Sequence, residues 1–299
     1  MLPFAVTELG LLEGYQSQSK RVMSSIYRTL LTLLIAAGAC SYLPVYAKKI
    51  SPPPIVTPAE WGSNPHPIPD DKKQIPQWIT IHHAGELWHY GEDPAEFVRR
   101  MQIWGQNRPK LEKPPRDTYW PDLPYHFLIA PDGRIFQGRP VTYEPESNTK
   151  YPLNGNIGVE MMGDFNVQRP SMEQLSACVA LTAWLLQEHK IAVDKVRTHQ
   201  DVAPGQTDCP GKDFYRYIKD GQFKLWVLRA KKGQKLNIVE GDALPDGPTK
   251  SINDPSTAKV PAPPAPLMPN STPNLDLPKA TPPTALQDSN SVTSPTSKP

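Results

Sequence analysis

Between Thr198 and Gly211 the chain reads T-H-Q-D-V-A-P-G-Q-T-D-C-P-G, which sets an imidazole, His199, and a thiol, Cys209, ten residues apart. Pro204-Gly205 lies between them and Pro210-Gly211 follows. Proline removes a backbone donor and glycine favours turns, so this stretch loops back rather than running on as one helix or strand. A nitrogen and a sulfur donor brought together by such a loop suit zinc. A catalytic zinc site takes three protein ligands and keeps a fourth position for water, so one donor is still missing. The remaining histidines are His66, His82, His83, His89, His126 and His189. His82 and His83 close the β-rich run Gln77–His83, at the end of a predicted strand. His66 and His89 fall in loops and His189 closes a helix, which are surface positions.

The elements that must position these groups can be read from pattern. Pro58-Ala59-Glu60-Trp61-Gly62 opens the folded part, and a proline-rich loop runs to Pro76. Asp93-Pro94-Ala95-Glu96 is a helix start: an N-cap, a proline at the first position, and an acid three residues after the cap. Phe97, Met101 and Trp104 then share one face of that helix. Tyr125–Ile129 is a strand that Pro131-Asp132-Gly133 turns into a second, Arg134–Gln137. Asn156–Met162 is another core strand. Ser171–His189 is a helix with a Ser171/Gln174 capping box and a stripe of Leu175, Cys178, Val179, Thr182, Leu185 and Leu186. A short helix around Phe214–Ile218 ends the series. Strands interleaved with helices imply an α/β fold, a central mixed β-sheet flanked by helices, in a single domain over residues 55–232.

The ends of the chain look different. Of 299 residues 37 are proline, and they are unevenly spread. A formal net charge of +2 gives no reason to expect nucleic acid or an electrostatic membrane contact. From Met23 a short basic region, an apolar run over Thr29–Cys40 and small residues up to Ala47 have the form of a secretory signal. The run is too short for a comfortable membrane span. Residues 1–47 are therefore expected to be a targeting segment with Met23 as its start, and N-terminal sequencing of exported protein tests this. Cys40, after Gly38-Ala39, also has the form of a lipid-acceptor cysteine. Residues 241–299, rich in Pro, Ser, Thr and Asn, are expected to be a disordered tail. Three cysteines are too few for a disulfide framework, and Cys178 on a helix's apolar stripe argues against a bridge to Cys209.

Several short segments arrive in one order: Ala59-Glu60-Trp61-Gly62, Ile81-His82-His83, Pro124-Tyr125-His126-Phe127-Leu128-Ile129, Asp132-Gly133, Ile157-Gly158-Val159-Glu160, and Thr198-His199 through Cys209-Pro210-Gly211. Together they resemble the zinc-dependent N-acetylmuramoyl-L-alanine amidases of type 2, a family that includes the peptidoglycan recognition proteins. The resemblance spans Ile55 to Trp226. It implies a Zn2+ cofactor on His82, His199 and Cys209, with His83 a neighbour on the opposite face of the strand. It also offers two candidates for base or proton shuttle, Tyr125 and Glu160. A carboxylate accepts a proton at neutral pH whereas a tyrosine, with pKa ~10, donates one, so Glu160 is expected to be the general base and Tyr125 to orient the water or stabilise the oxyanion. Thr207 stands where many relatives carry lysine, so a neutral hydroxyl replaces a cation there. Asp201 could orient a ligand histidine or cap its loop, and Arg139 could meet a stem-peptide carboxylate. The implied substrate is peptidoglycan or muropeptides, cut between N-acetylmuramic acid and L-alanine. The implied location is the periplasm or the exterior, with membrane anchoring if Cys40 is lipidated. Two other readings stay open: a receptor of the same fold without catalysis, and a zinc hydrolase of another amide.

Overall fold

Two long buried strands carry the architecture. They are β2, Trp78–His83, and β5, Asn156–Met161, and they pair in parallel over six residues each. Fully covered parallel strands need apolar or paired side chains on both faces, which is why both segments read as near-continuous β-rich runs. In the computed structural model, residues 49–107 and 119–259 are described, together with Met23, Ser24 and Arg28. The expected export segment falls almost wholly outside these residues, as do Cys40 and the stretch from residue 260 onward. Among the described residues no helix is long and apolar enough to cross a membrane.

Around β2 and β5 lie β1 (Ile55–Val56), β3 (Phe127–Ile129), β4 (Ile135–Gln137) and β6 (Val196–Thr198). The sheet order is β1-β4-β3-β5-β2-β6. Only β3 and β4, joined by the turn at Pro131-Asp132-Gly133, are antiparallel; the other four pairings are parallel. The fold is thus α/β with a mixed sheet, as the sequence implies. Strand alternation puts Ile157, Val159 and Met161 on one face of β5 and Asn156, Gly158 and Glu160 on the other, and all six are buried.

The helices are α1 (Pro58–Trp61), α2 (Pro94–Gln106), α3 (Met172–Glu188), α4 (His199–Val202), α5 (Lys212–Lys219) and α6 (Gln222–Lys231). The start of α2 is capped as expected, with the Asp93 carboxylate accepting from Ala95 N–H. Its expected apolar stripe divides. Phe97 is in the core, whereas Trp104 is 54% exposed and faces the groove described below. The capping box at the start of α3 is only half formed. Ser171 Oγ accepts from Gln174 N–H, but the Gln174 side chain turns inward and donates to Ile129 O and Met162 O. Those carbonyls end β3 and follow β5 in a dry interior, where an unpaired acceptor costs more than a cap gains. Helix α6, which pattern reading left unassigned, buries Phe223, Trp226 and Val227 and packs on α3.

One boundary differs from expectation. The tail was expected to begin at Gly241, yet residues 241–259 pack on the domain. Ile252 is fully buried, its N–H donates to Arg169 O, and Arg169 N–H donates to Lys250 O. Polar composition hid a single apolar anchor backed by main-chain hydrogen bonds.

Candidate metal centre

The register of the sheet assembles the site. His82 on β2 is the Cα partner of Glu160 on β5, and Ile81 is the partner of Thr198 on β6. His199, the residue after Thr198, therefore falls beside His82. Three neighbouring parallel strands thus deliver His82, Glu160 and His199 at their carboxyl ends, where open α/β sheets place ligands. Alternation sends His83 to the opposite face, against the ring of Phe165 and 3.6 Å from Asp164. The loop after α4 then brings Cys209 back. Its Sγ lies 3.7 Å from His82 Nδ1 and accepts from the backbone N–H of His83 at 3.3 Å.

One ligand atom each from His82, His199 and Cys209 falls within 4.8 Å of the others, and all three residues are buried. Tetrahedral zinc bonds of about 2.0–2.3 Å set neighbouring donors roughly 3.5 Å apart, so the spacing fits with small adjustments. The protonation chemistry fits as well. Burial, with the His199 and His83 charges adding, holds His82 well below the usual histidine value. Burial, then His83, lowers His199 to about 4. Both rings are therefore neutral donors at physiological pH. Burial pushes the Cys209 thiol up, against the pull of the His83 N–H. A cation is what would favour the thiolate there. Cys178 and Cys209 are both free, which removes the disulfide alternative.

Glu160 is fully buried, and neither carboxylate oxygen has a hydrogen-bond partner. Burial, with the Glu86 charge adding, drives its pKa well above the ordinary carboxylate value, while nearby Tyr125 works the other way. Tyr125 packs its ring 4.9 Å from that of His82. Burial first, then Glu160, raises its phenol well above 10, so it stays a proton donor. The Tyr125 ring also lies over Gly158, where an added Cβ would come within 3.3 Å of it. Glu160 and Tyr125 form the inner wall of a groove of about 600 Å³, whose outer wall carries Met101, Trp104 and Trp120.

The remaining candidates sort cleanly. Thr207 Oγ1 accepts from Cys209 N–H at 3.1 Å, steadying the loop and leaving its hydroxyl hydrogen to donate. The Asp201 carboxylate caps α4, accepting from Thr198 N–H and Oγ1 and from the Tyr215 hydroxyl, and so holds the loop rather than a ligand ring. Arg139 departs from its expected role. It is fully buried, donates to Leu123 O, Asp122 O and Glu144 O, and pairs with Glu146 at 3.5 Å. A guanidinium so engaged braces loops and is not presented to a ligand. Thr149, unmarked in the sequence, lies 2.6 Å from His199 Nε2. Its polar neighbours Ser147 and Asn148 signal a turn and nothing more.

An α/β domain with two imidazoles, a thiol and an unpaired carboxylate at the strand ends has the parts of a metal-dependent hydrolase. Residues 71–212 match the family model described as N-acetylmuramoyl-L-alanine amidase. Peptidoglycan-recognition protein SD of Drosophila simulans is 26% identical over 179 residues, covering 58% of this chain and 87% of that protein. The solved structure of the Drosophila peptidoglycan recognition protein SD aligns with a TM-score of 0.47 at 22% identity, covering 56% of this chain and 93% of that one. N-acetylmuramoyl-L-alanine amidase LysC from Clostridium intestinale URNW aligns with a TM-score of 0.43 at 24% identity, covering 57% of this chain and 97% of that one.

Proposed function

We propose that this protein is a zinc-dependent amidase that cleaves the bond between N-acetylmuramic acid and L-alanine in peptidoglycan or its muropeptides. The observation that carries the reading is the convergence of His82, His199 and Cys209 beside an unpaired, buried Glu160. Zinc held by those three residues would supply a Lewis acid for the scissile carbonyl and a water acidified toward neutral pH. A cation held beside it would favour the ionised form of Glu160 against its burial, and the carboxylate then takes the proton from the attacking water and passes it to the departing amine of L-alanine. Tyr125 keeps its phenolic hydrogen and donates it to the oxygen that gains charge during attack. Thr207 contributes a neutral hydroxyl from the loop. The groove beside Glu160 accepts the substrate chain and excludes water along its aromatic wall. Export of the chain by its N-terminal segment belongs to the same proposal, because this substrate lies outside the cytoplasm.

The recognition proteins among the similar chains bring a second reading, in which the groove binds the polymer without cutting it. The two separate on purified sacculi. The amidase reading expects new L-alanine amino termini from the zinc-loaded protein, and none from Glu160→Gln with its zinc content unchanged. A loss of about 10²-fold or more is the size expected for removing a positioned acid-base group. Binding of sacculi without new termini favours the receptor. Termini at another residue favour a different amide, and full turnover by Glu160→Gln removes the role given to Glu160.

A further inference from the structure

We propose that Thr149 is the positioning residue of His199, fixing through its hydroxyl which ring nitrogen faces the metal. This rests on the zinc reading above and concerns a residue outside its ligand set. Thr149 Oγ1 lies 2.6 Å from His199 Nε2. A histidine that binds a metal through one nitrogen commonly donates its other N–H to a nearby acceptor, which holds the ring and its tautomer. With Nε2–H committed to Thr149, Nδ1 is the nitrogen left for the ion. Asp201, the carboxylate nearest in sequence, is occupied in capping α4.

The hydrogens balance along a short relay. In the proposed tautomer His199 Nε2–H donates to Thr149 Oγ1, which leaves the Thr149 hydroxyl to donate to Ser147 Oγ, 3.0 Å away. Ser147 Oγ accepts as well from Thr149 N–H at 3.1 Å, which fixes the threonine backbone beneath its own side chain. The turn carrying these residues is fastened to the metal loop itself. Gln206 accepts from Lys150 N–H at 2.9 Å and donates to Lys150 O at 3.1 Å. Tyr151 packs its ring 5.4 Å from that of His199, with Trp78 behind it at 6.1 Å. Residues 147–151 thus form a bracket, tied at Gln206, that grips the side of His199 away from the ion.

The test compares zinc affinity, by competition with a chelator, in the full chain and in Thr149→Val, Thr149→Ser and Gln206→Ala. Cobalt(II) absorption is read on the same proteins as a report on ligand geometry. The expected result is a loss of about 10- to 100-fold in affinity for Thr149→Val, with a changed cobalt spectrum. Thr149→Ser, which keeps the hydroxyl, should recover affinity and spectrum. Gln206→Ala should shift both in the same direction by less, and it supplies the answer should Thr149→Val fold poorly. Wild-type affinity and spectrum in both Thr149→Val and Gln206→Ala would overturn the proposal while leaving the zinc reading in place. Failure of the unaltered protein to bind zinc at all would overturn both.

Discussion

His126 shows how a single buried side chain ties chemistry to stability. It is fully buried between β3 and β5, where Nε2–H donates to Tyr143 O at 2.8 Å and Nδ1 accepts from Gly158 N–H at 2.9 Å. Both nitrogens are thereby assigned, and a second proton would set two hydrogens face to face at Gly158. Burial lowers its pKa to about 3. An unfolded histidine titrates near ~6.5, so between these values the unfolded chain binds more protons and stability falls as pH falls. At about 1.4 kcal/mol per pH unit, going from neutral pH to about pH 5 should cost on the order of 2 kcal/mol at this position. Urea unfolding near pH 7.5 and pH 5, with chelator present, should show a smaller acid loss in His126→Gln than in the parent. His82 and His199, also lowered, contribute equally to both proteins and cancel. An identical acid loss in parent and variant would show that His126 is not the group responsible.

At the scale of elements, the site depends on how closely the metal loop presses on the sheet. Gly211 has φ +81°, and a Cβ there would lie 2.7 Å from the Phe165 carbonyl carbon and 2.9 Å from His83 Nδ1. Backbone cannot step aside as a side-chain end can, so Gly211→Ala must lift the loop that carries Cys209, two residues earlier. Gly205, at φ +72°, has nothing within 4 Å of its Cβ position and isolates the cost of the left-handed backbone alone. Gly205→Ala should lose about 1 kcal/mol, whereas Gly211→Ala should lose about 2–4 kcal/mol and also weaken zinc binding. Equal thermal shifts for the two variants would refute the contact argument. The same distinction explains what the sequence disclosed. Strands β2 and β5 were legible because strands buried on both faces read as apolar runs, and the turns at Pro131 and Pro204 because their residues admit few conformations. Strands β1 and β6, of two and three residues, exist through their pairing and carry no pattern of their own. The inward turn of Gln174, the burial of Arg139 and the grip of Thr149 depend on partners 12 to 50 residues distant, except for the Glu144 and Glu146 contacts of Arg139. Local spacing cannot report them.

At the scale of the molecule, the segment after α6 acts as a strap that joins two regions flanking the site. Ile252 sits over Gly163, where a Cβ would come within 2.5 Å of its Cδ1, and Ser251 bridges Arg169. Arg169 pairs with Glu240 at 3.1 Å and Asp213 at 3.6 Å, and it donates to Gly241 O. Farther on, Thr257 O meets His89 Nδ1 at 2.9 Å, and Lys259 pairs with Glu92 at 3.2 Å. Glu92 in turn holds Arg100 at 2.8 Å, and Arg100 lines the groove. The strap thus braces both the turn behind His83 and the groove's outer rim. Lys259 is exposed and Glu92 already holds Arg100, so their pair contributes little, and most of the strap's worth lies in burying Ile252, about 1.5–3 kcal/mol, and in covering Arg169 and Asp213. A chain stopped after Glu240 should melt below one stopped after Lys259, by roughly 5–10 °C at about 2–4 °C per kcal/mol. Ile252→Ala in the longer chain should reproduce much of that drop, because it removes the anchor and spares the charged contacts. If stopping after Glu240 leaves the melting temperature where stopping after Lys259 puts it, the strap only lies on the surface, and residues 241–259 belong with the tail as their composition first suggested.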